Sequence, residues 1–245
     1  MNQVFKRPTD EFGLGNLFIV LTVIADSCHK LHDNVYDYEL SNCVTLNGFT
    51  RVSYEGEPPY RPLFINNHTI NFVHPKIRDI VSPTAHMQGL IEKHEHIIRD
   101  VTAAVSIRRG SYCADSRQYK DARGDKQNHY FCSDAGLEKF KNIIRLSKGR
   151  VFVSSDSQST IHQLQEEFGE KLSVFEMSYA ITCTHDQTCS NIEDLQNVYL
   201  KWFLLSKCPV LYLTAGNKDL TGFSTYAYIA AIYGRKPFQF VFNEE

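Results

Sequence analysis

Two arginines followed by a glycine, Arg108-Arg109-Gly110, are the residues best suited to chemistry on an anion. They close a run of β-branched and small residues, Val101–Ile107. In an α/β sheet that position is the carboxyl end of a strand, where such folds bind ligands. A guanidinium fork matches phosphate oxygens in paired hydrogen bonds, and a glycine admits a close backbone approach. Ser155-Asp156 closes a second such run, Arg150–Ser154. Phe223-Ser224-Thr225 follows a third, Pro209–Leu213, across the turn-rich stretch Thr214–Gly222. If these strands are parallel, the loops after Ile107, Val153 and Leu213 leave one sheet edge and face one cleft. A further anion or sugar-phosphate candidate lies near the start. There Gln3–Lys6 reads as a strand, Phe12-Gly13-Leu14-Gly15-Asn16 as a turn, and the next stretch as a helix.

Metal chemistry finds little support. His94-Glu95-His96 places its imidazoles two residues apart, which on a helix do not face each other. Cys183, His185 and Cys189 lack a second ligand pair at suitable spacing. No Asp-x-Asp motif sits at a strand end, so the sequence predicts no metal site. The 7 cysteines include no Cys-x-x-Cys pair and read as free thiols of a reducing compartment.

The elements that must position these residues alternate. Leu17, Val20, Leu21, Ile24, Cys28 and Leu31 fall at helical spacing. Residues 33–82 read as short strands and loops, among them Val44–Leu46, Leu63–Ile65 and Ile70–Val73. Thr84–Asp100 reads as a helix. From Val101 onward strands and helices succeed each other regularly. Ser133 or Asp134 caps a helix, Gly169 stops the next, Ser190-Asn191-Ile192-Glu193 is a capping box, and Gly234 stops the last helix. Strands alternating with helices imply a doubly wound, mostly parallel sheet.

The chain has 245 residues and is 42% hydrophobic, enough for a large core or two small ones. Its net charge of −2 gives no reason to expect nucleic acid as a partner. The apolar run Leu17–Ala25 is too short to span a bilayer. The expectation is therefore a soluble, cytoplasmic protein without a transmembrane segment.

Four of these stretches together resemble the α1,2-, α1,6- and protein O-fucosyltransferase superfamily. Gly13-Leu14-Gly15-Asn16 is similar to its N-terminal glycine turn. Ser106-Ile107-Arg108-Arg109-Gly110-Ser111-Tyr112 resembles its His-Ile-Arg-Arg-Gly-Asp-Tyr. Val151–Asp156 resembles its Phe-Ser-Asp-Asp strand end, and Leu204–Cys208 followed by Phe223-Ser224 its Leu-Met-Ser-x-Cys and following Ser-Thr-Phe-Ser segments.

The resemblance implies a GT-B architecture of two Rossmann-like halves with mostly parallel sheets, here 1–100 on the acceptor side and 101–245 on the nucleotide-sugar side. It implies an inverting glycosyltransferase that needs no metal or other cofactor and moves a sugar, fucose from GDP-fucose first, to a glycan acceptor. Arg108 would hold the donor diphosphate with Arg109 in support. Gly13 and Gly15 would bind the donor, and Asn16 would sit near the reacting centre. Ser155, Asp156, Phe223, Ser224 and Thr225 would line the nucleotide. An inverting reaction also suits a carboxylate base, for which Asp10, Glu11 and Asp115 are candidates. Three residues depart from the pattern: Ser106 replaces a histidine, Ser111 an acid, and Lys201 an aspartate. Lysine offers donors only, where guanine asks for acceptors, so a UDP-sugar such as UDP-xylose is the alternative donor. A non-catalytic nucleotide-sugar or glycan-binding module and a histidine-dependent metal hydrolase are the alternatives of another class.

Overall fold

The computed structural model describes residues 4–5, 30–32, 43–52, 77–109, 131–175, 192–217 and 223–244. Gly13, Gly15, Asn16, Asp10, Glu11 and Asp115 lie outside these described residues, as do Leu63–Ile65, Ile70–Val73 and Ser190.

Strands β1 (Val4–Phe5), β2 (Lys30–His32) and β4 (Thr50–Val52) pair in parallel, in the order β1-β2-β4. The helical spacing read through Leu31 does not hold at Leu31 itself, which is the centre of β2 and pairs with Phe5 and Arg51. An apolar residue at period 3.6 fits a strand position as well when its run is short. Strand β3 (Val44–Leu46) instead pairs antiparallel with β5 (Val81–Pro83).

Helix α1 (Ile77–Ile80) leads into β5, and α2 (Ala85–His94) follows it. Thr84 caps α2 by accepting from the Met87 N–H, and a 3-10 turn, Glu95–Ile98, completes the expected helical stretch.

The larger sheet has five parallel strands: β6 (Val101–Ile107), β7 (Arg150–Ser155), β8 (Leu172–Val174), β9 (Leu211–Thr214) and β10 (Phe238–Val241). Their order is β10-β9-β6-β7-β8. Between them run α3 (Asp134–Leu146), α4 (Gln158–Phe168), α5 (Ile192–Lys207) and α6 (Thr225–Gly234). Both faces of the sheet are covered, which is why its central strands are apolar throughout rather than alternating. Val105, Ile107, Val151 and Val153 pack with Leu137, Phe140, Ile144, Ile161 and Leu164 of α3 and α4. Ala104, Phe152, Leu211 and Leu213 point the other way, into a second cluster with α5 and α6. Met87, Ile91 and Val44 belong to that second cluster, so the β3–β5 pair and α2 build on the same core as α5.

Local sequence explains most helix ends. Ser133 accepts from the Gly136 N–H, and Gly169 ends α4 at φ 51°. At the end of α6 the left-handed residue is Arg235, at φ 53°, rather than Gly234. Gly234 answers a different need: a Cβ there would stand 1.9 Å from the Ser206 carbonyl oxygen of α5. Burying both helix faces requires that close approach. Among the described residues, no helix is long and apolar enough to cross a membrane.

Candidate active site

The chain leaves β6 in one direction through β7 to β8. It then returns to the other side of β6 for β9 and β10. The strand order therefore reverses between β6 and β9, and a doubly wound sheet opens its ligand crevice at the carboxyl edge of that point. Arg108 follows the last residue of β6, so the sequence-predicted arginine stands beside this crevice.

Ladder pairing between β6 and β9 ends at Ser106 and Leu213. One residue further on, Thr214 spans the parting strands with its side chain. The Thr214 hydroxyl donates to the Ser106 carbonyl at 3.0 Å and accepts from the Arg108 N–H at 3.1 Å. The Arg108 carbonyl accepts from the Cys132 N–H at 2.7 Å. Both backbone groups of Arg108 are thus fixed, while its half-buried guanidinium lies 5.4 Å from the centre of the Phe131 ring. That distance is within the range of a cation–π contact, and among the described residues no acceptor takes the guanidinium N–H groups.

The same threonine reaches the third loop. Its carbonyl accepts from the Ser224 N–H at 2.9 Å. Ser224 is the N-cap of α6, with Thr225 as the first helical residue. The side chain of Ser224 makes no capping bond. The amino end of a ten-residue helix carries unpaired N–H groups and a positive partial charge, which suit an anion. Phe223 sits just before it, with its ring against Tyr228 and Phe240.

Arg109 is differently placed. Adjacent residues leaving a strand point to opposite sides. Arg109 is 5% exposed, and its guanidinium donates to the Cys132 carbonyl at 2.8 Å and to the Asp134 carboxylate at 2.6 Å. Its own N–H donates to Asp156 at 2.7 Å. The Arg109 guanidinium draws the buried Cys132 thiol toward ionisation, yet burial prevails and pushes that thiol up to about 12. Cys43 and Cys208 are likewise pushed up to about 12 by burial, so all three are protonated free thiols.

Ser155 and Asp156 stand at the end of β7, with Ile107 in register with Ser155. Ser155 is buried, and its hydroxyl accepts from the Ser157 N–H. Its carbonyl accepts from the Lys201 ammonium at 3.4 Å. Lys201 is 5% exposed, and burial lowers its pKa to about 8, with Asp156 opposing only in part. The aspartate that the resemblance leads one to expect is therefore replaced by an inward-facing lysine.

The structure thus brings Arg108, Arg109, Ser155, Asp156, Ser224 and Thr225 to one sheet edge, as the three-loop reading anticipated. The sequence did not single out Thr214, Phe131 or Asn243. Asn243 accepts from the Ser133 N–H and donates to the Phe131 carbonyl, tying the end of β10 to the segment beneath Arg108. A polar residue closing an apolar strand was the available signal for Thr214. Its partners across the sheet lie more than a hundred residues away in the chain.

The two imidazoles do face each other, contrary to the helical spacing: the helix gives way to the 3-10 turn after His94, and the His94 and His96 rings stack with centroids 6.2 Å apart. The His94 ring also meets Phe175 edge-on, and the exposed His96 ring hydrogen-bonds with the Lys93 carbonyl. No cluster of three metal-ligating side chains occurs among the described residues.

No protein-family model and no curated protein matches this sequence. Solved structures do. A NodZ α-1,6-fucosyltransferase soaked with GDP-fucose aligns over 95% of this chain and 92% of its own, with a TM-score of 0.51 and 12% identity. A form of that enzyme co-crystallised with GDP aligns over 94% and 91%, with a TM-score of 0.53 and 11% identity. The Bradyrhizobium enzyme in selenomethionine form aligns over 96% and 91%, with a TM-score of 0.53 and 12% identity. At such identity the likeness is one of fold: the chain has a fucosyltransferase-like α/β fold.

Proposed function

We propose that the chain is an inverting glycosyltransferase of GT-B architecture that moves a sugar, fucose from GDP-fucose first, to a glycan acceptor. The observation that carries this reading is the half-buried Arg108, tied through Thr214 to the N-cap of α6, at the point where the strand order reverses. The fold supports it, since an enzyme of similar fold was co-crystallised with GDP and soaked with GDP-fucose.

In this reading residues 101–245 form the nucleotide-sugar half and residues 1–100 the acceptor side. Arg108 takes the donor diphosphate. Negative charge grows on that group as the sugar leaves, and a fixed guanidinium stabilises it without reorganisation. The α6 N–H groups and Ser224 share the load. Arg109 supports Arg108 by holding the Cys132 and Asp134 segment. Asp156, Ser155, Phe223 and Thr225 line the nucleotide. Gly13, Gly15 and Asn16 lie near the transferred sugar, and Asp10 is the first candidate for the base on the acceptor hydroxyl, with Glu11 and Asp115 as alternatives. No metal takes part.

The test is release of nucleoside diphosphate from GDP-fucose in the presence of glycan acceptors, with and without excess EDTA. Acceptor-dependent release that survives EDTA is the expected result. Loss in EDTA restored by Mn²⁺ would make the enzyme metal-dependent. Binding without any turnover would leave a nucleotide-sugar-binding module. A paired calorimetric titration of GDP and UDP decides the base: GDP tighter by tenfold, about 1.4 kcal/mol, is expected. The reverse order would replace GDP-fucose by a UDP-sugar such as UDP-xylose.

A further inference from the structure

We infer that Thr214 is a positioning residue that sets Arg108 and the amino end of α6 at a fixed mutual distance for one diphosphate. This rests on the reading of Arg108 as the donor-diphosphate ligand.

Thr214 is fully buried, with 0% exposure, so no solvent competes for its hydroxyl. That hydroxyl spends its proton on the Ser106 carbonyl and a lone pair on the Arg108 N–H. A backbone carbonyl of β9 would do the second job if the ladder continued past Leu213. The strands part there, and the side chain spans the opening. The Thr214 carbonyl meanwhile holds the Ser224 N–H, which starts the turn into α6. One residue of β9 therefore fixes both elements. A hydroxyl is required for the Arg108 contact, whereas the Ser224 contact needs only the backbone. The two can be separated by substitution.

Thr214→Val is nearly isosteric and removes both hydroxyl bonds while leaving the carbonyl. Thr214→Ser keeps all three. Two measurements apply to the full chain. The first is amide hydrogen exchange by NMR at Arg108 and Ser224. In Thr214→Val the Arg108 amide should lose protection at least tenfold, with Ser224 changed far less, and Thr214→Ser should restore Arg108. The second is calorimetric titration with GDP. Thr214→Val should weaken binding about tenfold, Thr214→Ser should bind within about threefold of the native chain, and Thr214→Val should add nothing in an Arg108→Ala background.

Unchanged Arg108 protection in Thr214→Val, or GDP binding that stays at the native level, would overturn the assignment. Failure of the native chain to bind GDP or UDP would overturn the donor reading and, with it, the diphosphate role of the clamp. The exchange data would then still report on the clamp itself. If Thr214→Val does not fold, Thr214→Ser and Thr214→Cys carry the comparison. The serine should match native binding and the cysteine, a weak acceptor, should not.

Discussion

On the β9 side of strand β6, Arg108 is held by neutral groups: a threonine hydroxyl on its N–H and a backbone N–H on its carbonyl. Its guanidinium rests on an aromatic ring. Arg109 is locked among charges and buried dipoles: Asp156, just past the end of β7, on its N–H, and Asp134 and the Cys132 carbonyl on its guanidinium, while Lys201 is buried against the Ser155 carbonyl. The two arginines are neighbours in sequence and have opposite uses. Where the backbone is fixed and the side chain is not, the charge is available to a ligand. Where the side chain is consumed by the protein, the charge builds the wall against which the first is held.

The largest effect expected from breaking this contrast is at Arg108. Arg108→Ala should reduce transfer by a factor of several hundred, equivalent to about 3–4 kcal/mol of transition-state stabilisation. The thermal unfolding midpoint should move little. Arg108→Lys should recover little, because an ammonium is a point charge without the planar fork. Near-native turnover in Arg108→Ala would remove the diphosphate assignment and reduce the contrast to one of packing.

Arg109→Ala should show the converse pattern. The Cys132 carbonyl would lose its partner in a buried place, and a side chain's worth of volume would empty. Asp134 is 90% exposed and can be solvated, so little of the loss comes from that charge. A destabilisation of about 2–4 kcal/mol is expected, read as a shift of the urea midpoint. Molecules still folded at low temperature should keep more activity than Arg108→Ala. If Arg109→Ala unfolds no more easily than the native chain but has lost all transfer, the roles of the two arginines are exchanged.

How much of this was readable in advance follows from the range of the interactions. The strands 101–107 and 150–155, the Ser133 cap and the Gly169 stop depend on residues within a turn or a strand of each other, and the sequence carries them plainly. The meeting of three loops at one edge followed from alternation of strands and helices. The side of β6 on which β9 lies does not follow from local pattern, because it depends on a crossover of the chain. The partners of Thr214 and Asn243 lie far off in sequence, so local pattern could at most mark Thr214 as a polar residue closing an apolar strand and could not assign either residue its role. Leu31 shows a local failure: a spacing of 3.6 matched by chance past the start of a strand. Gly234 shows a right boundary with another cause, since its hydrogen avoids the Ser206 carbonyl while Arg235 takes the left-handed turn. Lys201 could be seen as a departure from a pattern, but only packing reveals that it points inward.

Lys201 supplies the smallest and sharpest test of the charged side. Burial lowers its pKa from 10.5 to about 8, so the folded protein binds this proton less well than the unfolded chain does. Below about pH 8 both states carry it, and the folded state bears the full cost of a buried ammonium. Between about 8 and 10.5 the unfolded chain holds more protons, so stability rises with pH across that window. Above it the cost is gone. The whole window corresponds to roughly 3 kcal/mol as a ceiling. Lys201→Met, similar in length and apolar, should therefore stabilise the protein at pH 7. About 1–2 kcal/mol is a reasonable expectation once the lost bond to the Ser155 carbonyl is set against the ceiling. Urea unfolding of both proteins at pH 7, 8.5 and 10 measures this. The advantage of the methionine should be greatest at pH 7, smaller at 8.5 and nearly absent at 10. An advantage equal at all three values would mean that packing rather than charge distinguishes the two residues. A loss of stability at pH 7 would mean that the Lys201 ammonium, balanced by Asp156 and the Ser155 carbonyl, is part of what holds the β7 edge closed.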